Sequence, residues 1–144
     1  MQGALKKPVP LFCNYEFILI TGTHQVRLVG GTHPGEGRVE VMYDENLGWG
    51  TVCDKIWQWQ DSRVVCRQLG FPFIAAQSIR NPSPKTEEPH FGQGLGFIWL
   101  SSVGCKGREE TLNDCKEVGW GAVDYPYCSH SKDVGVICNG MYIL

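Results

Sequence analysis

The chain has 144 residues, 42% of them hydrophobic, enough for one domain of ordinary size with its own core. Its 18 Gly and 8 Pro are more than a helical bundle tolerates and suit short strands joined by turns and loops. Thirteen basic against fifteen acidic residues leave a net charge of -2, which excludes a chain-wide field for nucleic acid or an anionic membrane and makes any anion binding local.

In chain order, residues 1–24 show neither alternation nor a helical stripe and read as a flank. Their longest apolar run, Phe17-Ile18-Leu19-Ile20, is far short of the roughly 20 residues of a membrane span. Lys6 and Lys7 would suit the charged start of a signal peptide, but Asn14 and Glu16 interrupt the apolar stretch that should follow. From Val26 the pattern tightens into a short strand through Val29, closed by the turn Gly30-Gly31. Arg38 to Tyr43 alternates strictly, with Val39, Val41 and Tyr43 on one face and Arg38, Glu40 and Met42 on the other, as a half-buried strand does. Asp44 to Gly48 carries turn chemistry, so Trp49 to Cys53 is expected to return as the hairpin partner.

Asp61 is placed to N-cap a helix through Arg63 to Leu69, with Gly70 in the left-handed C-terminal position. Val65 and Leu69, four apart, share its buried face. Residues 81–96 contain Pro82, Pro84 and Pro89 with Gly92, Gly94 and Gly96, a mixture that excludes a regular element and predicts the longest loop. Phe97 to Leu100 reads as a buried strand, Glu109 to Cys115 as a short helix or tight turn, and Val134 to Cys138 as the last strand. The domain is therefore drawn as 25–139, with 140–144 a tail.

The cysteines decide the compartment. Cys13, Cys53, Cys66, Cys105, Cys115, Cys128 and Cys138 contain no Cys-x-x-Cys pair, so the zinc and thioredoxin readings lose their main signature and disulfides in an oxidising compartment remain. The six from Cys53 onward form an even set and leave Cys13 as a lone thiol. Spacing by itself leaves about 15 pairings open. Catalysis lacks a constellation: His24, His33, His90 and His130 are scattered without a His-Glu-x-x-His pair, and Gly92 to Gly96 lacks the Gly-Lys-Ser/Thr ending of a phosphate loop. Ser129, His130 and Asp133 have triad chemistry, but crowded between disulfide cysteines they read as a structured turn.

Several ordered blocks together carry a resemblance. They are Val26-Arg27-Leu28-Val29-Gly30-Gly31, Gly37-Arg38-Val39-Glu40-Val41, Trp49-Gly50-Thr51-Val52-Cys53-Asp54 and Val64-Val65-Cys66-Arg67-Gln68-Leu69-Gly70-Phe71. Phe91-Gly92-Gln93-Gly94, Cys105-x-Gly107-x-Glu109-x-x-Leu112-x-x-Cys115 and Cys128-Ser129-His130-Ser131 before Asp133-x-Gly135-Val136-x-Cys138 complete the series. In this order they resemble the scavenger receptor cysteine-rich (SRCR) family. Gly37 and Phe71 stand where the eight-cysteine group would carry its extra pair, so the resemblance is to the six-cysteine group. It implies an α+β fold, a curved, mainly antiparallel sheet cradling one α-helix, stapled by Cys53–Cys128, Cys66–Cys138 and Cys105–Cys115.

The resemblance further implies a non-catalytic extracellular binding module for polyanions, microbial surfaces or host proteins, secreted or part of an ectodomain, with membrane attachment only through a segment absent here. An accessory module of a secreted mosaic enzyme, a serine protease or lysyl oxidase-like protein, is the alternative. Calcium is held in the family by a small acidic cluster, whose positions map here to Asp54 and Glu109. Two departures weaken it: Asp54-Lys55 replaces an acidic pair, and Ser131-Lys132-Asp133 replaces Ser-Glu-Asp. Weak calcium binding is therefore expected, with a basic patch of Lys55, Lys132, Lys106 and Arg108 as ligand site. If Lys55 lies against the carboxylates, its ammonium takes the cation's place.

Overall fold

A computed structural model describes residues 25–81, 88–115 and 119–140. The readings of the 1–24 flank with Cys13, of Pro82, Pro84 and Lys85 in the long loop, and of the last tail residues fall outside them. Six strands and one helix follow in chain order: β1 Gln25–Gly30, β2 Glu36–Met42, β3 Trp49–Val52, α1 Trp59–Leu69, β4 Gln77–Ile79, β5 Ile98–Leu100 and β6 Gly135–Ile137. Short 3-10 turns occupy Leu112–Asp114 and His130–Lys132.

The strands form one sheet in the order β4-β6-β2-β3-β5, with β1 also on β2. Pairing is antiparallel except between β3 and β5. The long β2 organises the sheet: its first half, Glu36 to Arg38, pairs with β6 and its second half, Glu40 to Met42, with β3. The alternation read from the sequence has its physical basis here, since Val39 and Val41 are fully buried beside Val52, Val134 and Val136. Against them pack Val64 and Val65 of α1, Trp57, Leu100, Val103 and Leu112, each large apolar side chain worth about 1.5–3 kcal/mol on burial. Gly70 closes the helix at φ 82, its N–H donating back to the Arg67 carbonyl.

Four readings are corrected. The helix begins two residues before Asp61, with Gln58 as N-cap. Asp61 sits one turn inside, where one carboxylate oxygen accepts from the Gln58 N–H at 2.8 Å and the other from the Cys105 N–H at 2.8 Å, so it joins the helix start to the third disulfide. Strand β4 carries no apolar alternation and was missed because its strength comes from pairing with β6. Tyr43 lies past the end of β2 and is half exposed, since its ring stacks on Trp120 at 5.1 Å instead of entering the core.

Glu40, assigned to the polar face, is buried. Burial is tolerated because Arg27 donates to it at 2.7 and 2.9 Å and Arg38 at 2.7 and 2.8 Å, while Arg27 stacks on Trp49. Glu40→Ala removes the shared acceptor and strands the mostly buried Arg38. The expected loss is about 2–4 kcal/mol in urea denaturation, below the full cost of an orphaned buried charge because Arg27 is half exposed. A loss under about 0.5 kcal/mol would contradict this account of the sheet.

Candidate ligand-binding face

The Cys53–Cys128 disulfide and the single β-bridge between Cys53 and Asp133 hold the end of β3 beside the segment preceding β6. The chain turns sharply after β3, with the Trp57 N–H donating to the Asp54 carbonyl at 3.0 Å. Asp54 therefore points inward and is fully buried. Its Oδ2 accepts the Asn81 N–H at 2.8 Å and its Oδ1 the Tyr127 hydroxyl at 2.8 Å, while its own N–H donates to the Lys132 carbonyl. Both carboxylate oxygens are thereby engaged, which is what a buried carboxylate requires.

Lys132 lies on the same junction. Its ammonium donates to the Asn81 carbonyl at 2.6 Å and sits 5.2 Å from the centre of the Tyr127 ring. The Asn81 side-chain amide in turn donates to the Ser131 carbonyl at 2.6 Å. Arg80 borders the Tyr127 hydroxyl; burial first and the Asp54 carboxylate second push that phenol above its ordinary value, against the pull of Arg80. Lys55 pairs with Asp124, both half exposed. Lys55 therefore does not lie against Asp54, and Lys132 approaches it only through shared neighbours, Asn81 and Tyr127.

Glu109 belongs to a different loop. Its carboxylate accepts the N–H groups of Lys106 at 2.9 and 3.1 Å and of Gly107 at 2.9 Å. Arg67 fixes the same loop by donating to the carbonyls of Gly107 and Glu109. Burial pushes the Glu109 carboxyl up, but these backbone donors together carry it below the usual carboxylate range. Lys106 and Arg108 are exposed on this loop, so the four cationic residues singled out in the sequence divide among three segments, the turn after β3, the His130–Lys132 turn and the Cys105–Cys115 loop.

These donors do not suit calcium, which takes about 6–8 oxygens. Asp54 and Glu109 have no partner in common among the described residues, and Asp54 has both oxygens committed. The one group of three or more ligand-bearing side chains among the described residues is Cys105, Glu109 and Cys115. Its two sulfurs are joined in a disulfide, which leaves a single carboxylate.

Asn81, Tyr127 and Arg80 escaped the sequence reading. Tyr127 had a usable signal, since it precedes Cys128 and the bridge to Cys53 must carry it next to Asp54. Asn81 and Arg80 had none, because their place depends on the long loop they open.

Ser129, His130 and Asp133 do not assemble a hydrolase triad. The Ser129 hydroxyl lies 2.8 Å from that of Ser131, and Nε2 of His130 faces the Gly96 carbonyl at 2.9 Å, so no base addresses the serine. Three disulfides, Cys53–Cys128, Cys66–Cys138 and Cys105–Cys115, staple the sheet to the helix and loops. Among the described residues no helix is long and apolar enough to cross a membrane. Fold and loops together define a small disulfide-stapled module whose distinctive chemistry lies in charged loops.

The family model for the scavenger receptor cysteine-rich domain matches residues 29–139. The chain belongs to this family and, with six paired cysteines, to its six-cysteine group; it is a non-catalytic SRCR module. It is 45% identical over 113 residues to macrophage scavenger receptor types I and II of Mus musculus, covering 78% of this chain and 22% of that protein. To lysyl oxidase homolog 4 of Mus musculus it is 44% identical over 120 residues, covering 83% of this chain and 14% of that protein. The crystal structure of the third SRCR domain of murine neurotrypsin superposes with a TM-score of 0.65 at 35% identity, covering 83% of this chain and 100% of that one. The chain thus spans less than a quarter of the length of either curated relative.

Proposed function

We propose that this chain is the extracellular ligand-binding module of a scavenger-receptor-type protein, secreted or displayed on a membrane ectodomain. Its ligands are polyanions, as free polymers, on microbial surfaces or on extracellular host proteins, and their capture needs no metal. Lys55, Arg80 and Lys132 provide the principal contact, and Lys106 with Arg108 a second one on the Cys105–Cys115 loop. The observation that carries this reading is the Lys132 ammonium seated on the carbonyl of Asn81, the residue whose N–H binds the buried Asp54. A fixed positive charge there does what a bound cation would do for a sulfate or carboxylate ligand, without the cation.

The similarity to lysyl oxidase homolog 4 favours a second reading, in which the same basic face docks a secreted mosaic enzyme on its substrate matrix. Both readings expect Lys132→Glu to weaken capture on immobilised dextran sulfate about tenfold, a change of about 1.4 kcal/mol. Neutral dextran should retain neither protein. Undiminished capture by Lys132→Glu, with the fold intact by circular dichroism, would sink the assignment of this face.

A further inference from the structure

On the far side of the β3–β6 junction, His130 and Asp133 hold the glycine-rich stretch leading into β5. Asp133 is buried, and its Oδ2 accepts the Gly94 N–H at 2.7 Å. Nδ1 of His130 lies 3.0 and 3.1 Å from the two Asp133 oxygens, and Nε2 lies 2.9 Å from the Gly96 carbonyl. Carboxylate and carbonyl are both acceptors. A neutral imidazole has one N–H and one lone pair, so it cannot satisfy both unless Asp133 supplies the missing proton. Either as imidazolium with carboxylate, or as neutral imidazole with carboxylic acid, the contacts require two protons on the pair.

Between the two anchors sits Leu95, 87% exposed, followed by Phe97, 50% exposed and stacked on Trp99 at 4.7 Å. Across a shallow groove of about 690 Å³ stand Tyr125, Pro126 and Ser129, with His130 itself in the lining. Gly94 allows no substitute, because a Cβ there would lie 2.4 Å from the Thr51 methyl, so the stretch is pressed against β3.

We infer that the His130–Asp133 pair is a proton-operated latch on the Gly94–Phe97 segment, holding Leu95 and Phe97 in place while the pair keeps both protons and releasing the Gly96 anchor when one is lost. After that loss the Asp133 carboxylate keeps the Nδ1 hydrogen, and the Nε2 lone pair is left facing the Gly96 carbonyl. The other groups around the pair work against burial's hold on the Asp133 proton or are engaged elsewhere. From β3 comes the Thr51 hydroxyl, 3.4 Å from Nδ1. From β2 comes Arg38, beside Gly94 and sharing the Glu40 carboxylate with Arg27; Tyr125 and Ser129 line the groove next to His130, the Ser129 hydroxyl lying on that of Ser131; Lys132 on the same turn is directed to Asn81.

The sign follows from Asp133 as well. Its burial pushes the carboxyl above the usual range, against hydrogen bonds from Gly94, Thr51 and His130 that pull it down. A carboxyl raised in the folded state contributes stability below its unfolded value and loses that contribution as the pH rises through the folded one. The latch is thus set on the acidic side and opens as the pH rises.

The test couples two readings on the intact protein. Long-range proton–nitrogen correlation spectra across a pH series follow the ring nitrogens of His130, while amide hydrogen exchange, divided by the intrinsic base-catalysed rate, follows the two N–H groups bonded to or from the segment, Gly94 to Asp133 and Thr51 to the Phe97 carbonyl. Expected is loss of the Nε2 proton over the same pH interval in which normalised exchange rises about fivefold to tenfold, the scale of one hydrogen bond. His130→Gln, which keeps a donor but does not titrate, should abolish the pH dependence of normalised exchange. An Nε2 without a proton while these amides stay protected, or a pH dependence unchanged in His130→Gln, would overturn the latch. Should His130→Gln not fold, the wild-type coupling still decides.

Discussion

Replacing Cys53 and Cys128 together by Ser is expected to lower stability by about 3–5 kcal/mol, a large share of what a domain of this size possesses. The two residues are separated by 75 positions, and Cys66 and Cys138 by 72. In the chain-entropy account, closing loops of this length restricts the unfolded chain by about 4–5 kcal/mol each. Cys105 and Cys115 are only 10 apart, which gives about 3 kcal/mol in the same account. The bridge to Cys128 also anchors Tyr127 against Asp54, so its loss frees a buried carboxylate partner as well. Urea denaturation of the oxidised variants should therefore rank the two long bridges well above the short one, with Cys13→Ser within about 0.5 kcal/mol of wild type. Equal midpoints for the Cys53/Cys128 and Cys13 variants would show that the sheet holds without its covalent frame.

The second large effect is a gain of function. Lys55→Asp combined with Lys132→Glu replaces two ammonium groups with carboxylates around the turn that carries Asp54. The doubled variant is expected to acquire calcium-dependent stability. At a calcium concentration about 100 times its dissociation constant the gain would be about 2.7 kcal/mol, which raises the melting temperature by roughly 5–15 °C. Wild type should shift by less than about 1 °C at the same millimolar calcium. If wild type were stabilised as much as the variant, Lys132 would not be displacing the cation, and Asp54 would have to exchange its Asn81 and Tyr127 partners for metal.

Much of the fold was legible because its signals are local. Alternation marked Val39 and Val41 as core, and Gly70 marked the end of α1, since only a residue at ease at φ 82 closes the helix there. The disulfide pairing was not legible from spacing; it came from the family resemblance. Long-range effects hid the rest. Glu40 reads as a surface residue until β1 brings Arg27 across from it. Asp61 reads as a cap until the third disulfide loop supplies the Cys105 N–H.

The charged face was legible in its residue types and not in its geometry. The exchange of a carboxylate for Lys132 was visible, and so was that of Lys55, but nothing in the sequence says which ammonium meets Asn81 and which meets Asp124. The separation of Asp54 from Glu109 was equally hidden. Glu109 serves backbone donors in its own loop, whereas Asp54 is held by Asn81 and Tyr127 from segments distant in the chain, the second brought in by the Cys53–Cys128 bridge.

The central claim is that a built-in ammonium replaces a metal in ligand capture. The most direct test is equilibrium binding of wild type to dextran sulfate in chelator and in millimolar calcium, each at low and physiological salt. The account predicts the same affinity with and without calcium, and a marked fall as salt rises, because exposed charges are screened over about 8–10 Å. Loss of binding in chelator, restored by calcium and indifferent to Lys132→Glu, would contradict it.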